Sequence, residues 1–201
     1  MKMKFEFLIV LILFQVSCTK KMAVTEDDFE AYKSKYIHDL TVQDPPVVKL
    51  SDTHKIEFYP YNESYRCRCS FSKLEKSEEI ILNTSSGKQK NYIPYGIVKC
   101  QIKREEIKLF VYTVSRFINN PLYKDYLFLP YKDETNGEET YGGGRYIDIN
   151  KSDISDNQII IDFNKSYNPY CAYTDGYNCP IPPRENSLST KIEAGEKAFE
   201  H

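Results

Sequence analysis

Tyr65, Cys67, Cys69 and Phe71 alternate with Arg66, Arg68 and Ser70. An apolar side chain at every second position marks a strand with one face toward a core. The pattern recurs along the chain. Residues 55–59 (KIEFY) alternate, residues 79–83 (EIILN) form a short run, and residues 96–102 put Val98, Cys100 and Ile102 on one side. Ile107, Leu109, Val111 and Thr113 alternate with Lys108, Phe110 and Tyr112. Apolar residues on both faces there predict a central strand. Residues 126–131, 145–149, 159–163 and 188–194 complete the series. Eight or nine short strands at hairpin spacing predict a mostly β domain, an antiparallel β-sandwich or a rolled barrel. One helix precedes them at 25–40, with Thr25 as cap and Glu26, Asp27 and Asp28 suited to its positive end. Phe29, Tyr32, Tyr36 and Leu40 share one face, predicted to pack on the sheet, and Asp44-Pro45-Pro46 stops the helix.

The 201 residues suit one domain, and a net charge of -2 removes any general electrostatic case for nucleic acid. The start of the chain is different in kind. Lys2 and Lys4 precede an unbroken apolar run at 7–14, and the run ends near Ser17-Cys18. That is short for a bilayer span but fits a secretory signal. The small residue before Cys18 resembles a bacterial lipoprotein cleavage box, in which the cysteine carries the lipid. An ordinary signal peptide with an incidental Cys18 is the other reading. The expected organisation is a lipoprotein signal peptide at 1–17, a tether at 18–24 and one β-rich domain at 25–201. The expected location is the bacterial cell envelope, exported and lipid-anchored.

Two stretches carry the chemistry. Residues 133–145 read DETNGEETYGGGR. Gly142, Gly143 and Gly144 leave backbone amides free to cradle an anion, and Arg145 adds a planar fork of donors. A hairpin loop with Arg145 paired to Asp148, Asp162 or a neighbouring acid reads equally well from these residues. Residues 163–185 hold two cysteines and four prolines, and six tyrosines lie between Tyr141 and Tyr177. Tyrosine offers a stacking face and a hydroxyl to a polar ligand, or packing beneath proline. Cys171 and Cys179 suit a disulfide in an exported chain. A two-thiolate metal site or a redox dithiol is the alternative, but neither a CxxC pair nor histidines at ligand spacing accompany them. No cofactor motif is present. Cys67, Cys69 and Cys100 fall on apolar strand faces, where Cys100 can pair across strands with one of the other two.

These segments resemble a bacterial family of unknown function, the domain-of-unknown-function family numbered 1684. Its Thr-Tyr-Gly-x-Gly-Arg-Tyr segment falls on 140–146 and its Asp-Phe-Asn-x-x-Tyr-Asn-Pro segment on 162–169. Its Cys-Ala-Tyr falls on 171–173, its Cys-Pro-x-Pro-Pro-x-Glu-Asn on 179–186, and Ala-Gly-Glu-Lys on 194–197. The resemblance implies one domain over nearly all the exported chain, with many members lipoproteins or exported. It supplies no reaction.

Polar residues this dense in two loops predict that the loops meet in one pocket. Its expected ligand-binding residues are Tyr141, Gly143, Gly144, Arg145, Tyr146, Asn164, Tyr167, Asn168, Tyr173 and Asn186, with Arg145 reading an anion. A polar or anionic small molecule or a glycan is the expected ligand. The alternative is a hydrolase using two of Asp148, Asp162 and Glu185 as acid and base; a structural or assembly role at the envelope is third. Replacing Cys18 by alanine is expected to abolish palmitate incorporation and to release the protein from membranes, read by labelling and fractionation.

Overall fold

The structure, a computed structural model, describes residues 25–201. The expected signal peptide, the tether and Cys18 lie outside the described residues. One helix, α1 (Glu26–Thr41), precedes seven strands: β1 (Arg66–Lys73), β2 (Ile80–Asn83), β3 (Gln89–Ile102), β4 (Glu105–Val114), β5 (Tyr126–Tyr131), β6 (Arg145–Asn150) and β7 (Gln158–Asp162). They form one antiparallel sheet in the order β6-β5-β4-β3-β1-β7, with β2 on the outer half of β3. The sheet curls into a half-barrel, so it is the rolled form and not a sandwich. Its two end strands, β6 and β7, line opposite sides of one open groove.

The alternation explains the curl. Cys67, Cys69, Val98, Leu109, Leu127, Leu129, Ile147 and Ile161 point inward and meet in one core. Full burial of each large aliphatic side chain contributes roughly 1.5–3 kcal/mol. Tyr92, Tyr112, Val114, Phe128 and Tyr146 form a second apolar cluster on the outer face. Strand β4 serves both clusters and sits between β3 and β5, as its two apolar faces predict. Strand β3 begins seven residues earlier than the alternation indicates. Its register shifts between Pro94 and Gly96, where the sheet gains one residue. A bulge of this kind swaps the faces. Tyr92 therefore faces out and Val98 faces in, although both positions are even.

Cysteine placement follows the ladder. Cys69 and Cys100 face each other on β1 and β3 with Cα atoms 4.4 Å apart, and they are bonded. Cys171 and Cys179 form the second disulfide. Cys67 is a buried free thiol, pushed up to about 11 by burial. Two disulfides suit an oxidising, exported setting. No helix among the described residues is long and apolar enough to cross a membrane.

Helix α1 begins as its sequence predicts, with a reciprocal cap between Thr25 and Asp28. It packs chiefly on the loop after β7. The Tyr32 hydroxyl donates to the Lys165 carbonyl at 2.8 Å, and Tyr36 and Tyr173 share a hydroxyl contact at 2.7 Å. Two expected strands are absent. Residues 50–55 form a 3-10 turn, and of 55–59 only Phe58 makes an isolated bridge, to Glu196. Residues 188–194 form no strand because the carbonyls of Ile192 and Ala194 are turned to a side chain instead of a neighbouring strand.

That side chain is Arg145. It is fully buried, and its guanidinium donates to the carbonyls of Ile192, Ala194 and Glu196 and to Asp133 Oδ2 at 2.8 Å. Asp133 in turn accepts from the Thr135 amide and hydroxyl and the Ile192 amide through Oδ1. The C-terminal segment is thereby strapped across the barrel end. Just beyond, Glu196 is also fully buried and accepts from the Asn168 amide at 2.8 Å and the hydroxyls of Tyr173 and Tyr36.

Asp133→Ala leaves the Arg145 charge buried without a counter-ion and is expected to cost about 3–5 kcal/mol, read by urea unfolding. Burial raises the Glu196 carboxyl from its ordinary 4.5 to about 7, against the opposing pull of its three donors. Between those values the folded chain holds more protons than the unfolded chain. Stability is therefore highest below the window and falls as pH rises through it, by about 3 kcal/mol in all. Glu196→Gln is expected to flatten this part of the stability–pH profile.

Candidate functional site

The residues singled out from the sequence divide into staples and groove walls. Arg145 is a staple, so the expected anion reader is not free to read an anion. The glycine run is likewise no open cradle. The Gly144 amide donates to the Tyr141 carbonyl, its φ is +91°, and a Cβ there would stand 2.8 Å from the Tyr131 carbonyl oxygen. Glycine is needed for close packing at that point. Gly143 lies against the Tyr141 ring, whose hydroxyl reaches the Cys171 carbonyl at 3.5 Å.

Three asparagines expected in a pocket act as substitute backbone, since a side-chain amide carries the same donor and acceptor as a peptide. Asn164 takes both the amide and the carbonyl of Asn62, each at 3.0 Å. Asn168 donates to the Lys197 carbonyl at 2.7 Å. Asn186 bridges β4 and β5 where Pro130 has no N–H to offer. It accepts from the Phe110 amide at 2.8 Å and donates to the carbonyls of Phe110 and Pro130. Tyr173 is tied to Glu196. These are corrections to the single-pocket expectation. Hydrogen bonding inside the protein uses the polar groups that a ligand would need.

Of the ten expected residues, Tyr146 and Tyr167 line a groove on the outer face of the sheet. This groove is about 370 Å³, within the range of small-ligand sites. Its floor is Tyr92, Phe128 and Tyr146, with Phe128 meeting Tyr146 edge-on at 4.7 Å and lying over Tyr92 at 5.6 Å. One wall is Phe117 stacked on Tyr123 at 4.6 Å, with Tyr126 beside them. The other is Tyr170 against Tyr177 at 5.1 Å. The Cys171–Cys179 disulfide closes the loop that carries this second wall. The Ser85 amide donates to the Cys179 carbonyl at 2.9 Å, which fixes the loop to the turn between β2 and β3.

Two cations reach this aromatic groove. Lys90 projects from β3, half-buried, and Arg116 follows β4 with its guanidinium 4.8 Å from the Phe117 ring centre. Neither pairs with a described carboxylate. Loss of solvent around Lys90, with a smaller repulsion from Arg116, lowers the pKa of its amine. An anion in the groove would offset both effects.

The second groove lies at the seam between β6 and β7 and is larger, about 610 Å³. Asp148 and Asp162 both line it, while Glu185 does not. Asp162 accepts from the Asn164 amide at 3.1 Å and the Asn164 side chain at 2.9 Å, with Arg66 at 3.9 Å. Asp148 accepts from Tyr126 at 2.8 Å and Tyr167 at 2.6 Å. Its carboxyl is accessible but hemmed in by protein, which raises its pKa against the pull of the two hydroxyls. Tyr167 lines both grooves, so Asp148 fixes from one side a ring that forms part of the other.

Sequence reasoning missed Lys90, Arg116, Phe117, Tyr123, Tyr126, Tyr170 and Tyr177 as wall residues. The available signal was the aromatic outer face of the strands, where Tyr112 and Phe128 take positions that alternation assigns away from the core.

The solution NMR structure of the uncharacterized protein from gene locus rrnAC0354 of Haloarcula marismortui is similar in fold. It is 25% identical with a TM-score of 0.61, over 86% of this chain and 97% of that one. No curated protein matches the chain. Residues 52–197 match the family described as protein of unknown function (DUF1684), a span that holds all seven strands, both disulfides and the Arg145 strap. The chain belongs to the DUF1684 family.

Proposed function

We propose that the protein is an exported, lipid-anchored binding protein whose aromatic groove takes a small anionic molecule with a flat or sugar-like face. The observation that carries this reading is the pair Lys90 and Arg116, which share an aromatic groove and have no carboxylate partner among the described residues. Cations placed together without counter-charge in a partly desolvated site favour an anion. Tyrosine and phenylalanine rings supply stacking faces, and tyrosine hydroxyls not already tied to Asp148 or Pro180 supply hydrogen bonds. A sugar acid or sugar phosphate combines both requirements. The ligand charge meets Lys90 and Arg116, and its ring lies over the aromatic floor.

The carboxylate hydrolase is the weaker reading. Asp148 and Asp162 share the seam groove, but each is already engaged by internal donors.

Calorimetric titration with a panel of sugar acids and sugar phosphates tests the binding reading. Lys90→Ala and Arg116→Ala are each expected to weaken any panel ligand about tenfold or more, the worth of one charge-assisted hydrogen bond. Phe117→Ala is expected to weaken sugar ligands more than inorganic phosphate. Affinity should fall with rising pH as the Lys90 amine loses its proton, and this loss should vanish in Lys90→Ala. Equal affinity in both cation variants removes the reading.

A further inference from the structure

We propose that the loop at 115–125 is a membrane-docking finger that seats the protein on an anionic bilayer. Three of the seven exposed large hydrophobic residues among the described residues lie on it: Ile118, Leu122 and Tyr123. Leu122 is 86% exposed, the most of any of the seven. The loop is a built feature. Phe117 stacks on Tyr123 at 4.6 Å, the Tyr123 amide donates to the Asn120 carbonyl, and the Leu122 amide donates to Asn120 Oδ1. These bonds turn the apolar side chains outward in a fixed arrangement.

The surroundings identify the occupant by charge. Arg116 and Lys124 flank the apolar tip, Lys151 donates to the Lys124 carbonyl, and Lys90 lies in the adjoining groove. Asp125 is the loop's lone acid. A chain of net charge -2 thus concentrates positive charge around its most exposed leucine. Three side chains on one loop are too small a patch for a stable protein interface. They suit insertion between lipid head groups, where aliphatic tips enter the acyl boundary, tyrosine sits at the interface and basic residues meet anionic heads. Docking in this pose places Arg116, Phe117 and Tyr123, which also form one wall of the aromatic groove, close to the lipid surface. The proposal goes beyond the ligand reading and does not depend on the groove being occupied.

The chain has no tryptophan, so Leu122→Trp gives a single tryptophan, excited selectively beyond the tyrosine band. The full chain carrying it is mixed with vesicles of phosphatidylcholine and phosphatidylglycerol. The expected result is a blue shift, with quenching by acyl-brominated lipid at least about twice that of Leu50→Trp, an exposed site elsewhere. Ile118→Trp should behave as Leu122→Trp does, and it serves if Leu122→Trp folds poorly. Adding Lys124→Glu should reduce the quenching in mixed vesicles. Quenching no greater than that of Leu50→Trp at both positions overturns the docking assignment. Quenching that ignores Lys124→Glu overturns the assignment to an anionic surface.

Discussion

A guanidinium fully buried in protein needs protein acceptors, and Arg145 meets that need at its two terminal nitrogens, though not at Nε, with the chain's own C-terminal segment. Three carbonyls at alternate positions, Ile192, Ala194 and Glu196, turn toward it together with Asp133. An extended segment presents every second carbonyl to one side, so a single side chain can hold a length of backbone. The strap in turn brings Ile192 and Ala194 into the barrel core and Glu196 to Tyr173, Tyr36 and the Asn168 amide. Removal of the charge, its counter-ion or the strap would leave the other two unsatisfied. The half-barrel therefore depends on a polar cluster at one end as much as on its apolar interior.

Much of the barrel is legible in the sequence because strand alternation is a local signal. Cys67, Cys69 and Phe71 declare β1, and the doubly apolar run of β4 declares its central place. The capping pair of Thr25 and Asp28 likewise lies within one turn of chain. The failures share a cause. Residues 188–194 look like a strand, but their partner is a side chain some fifty positions away. Asn164, Asn168 and Asn186 look like ligand groups, because nothing local distinguishes an amide aimed at solvent from one aimed at a distant peptide. Arg145 carries the same ambiguity: its donors suit an anion and a ring of carbonyls equally well.

The aromatic groove was hidden for a related reason. Its walls come from β3, the turn after β4, β5, and the loop closed by Cys171 and Cys179. No single stretch carries enough of it to stand out. Tyr146 and Tyr167 were visible because they lie in the dense tyrosine region, whereas Lys90 and Arg116 become a pair only when the sheet folds. The seam groove differs in character. It exists because the sheet curls without closing, and Asp148 on its floor holds Tyr126 and Tyr167 by their hydroxyls.

The single-residue shift in β3 has a consequence for how this domain can vary. It divides the strand into two amphipathic phases, one facing the barrel and one facing the outer groove. Regular pairing of the same residues, with Tyr95 taken into the ladder and no bulge, would put both halves in the same phase. Tyr92 would then turn toward the interior, and the floor of the outer groove would lose a ring while Val98 and Cys100 kept their places. The two surfaces of the sheet are thus joined by a phase boundary one residue wide, and closing the bulge at unchanged chain length would rewrite one surface without redrawing the other.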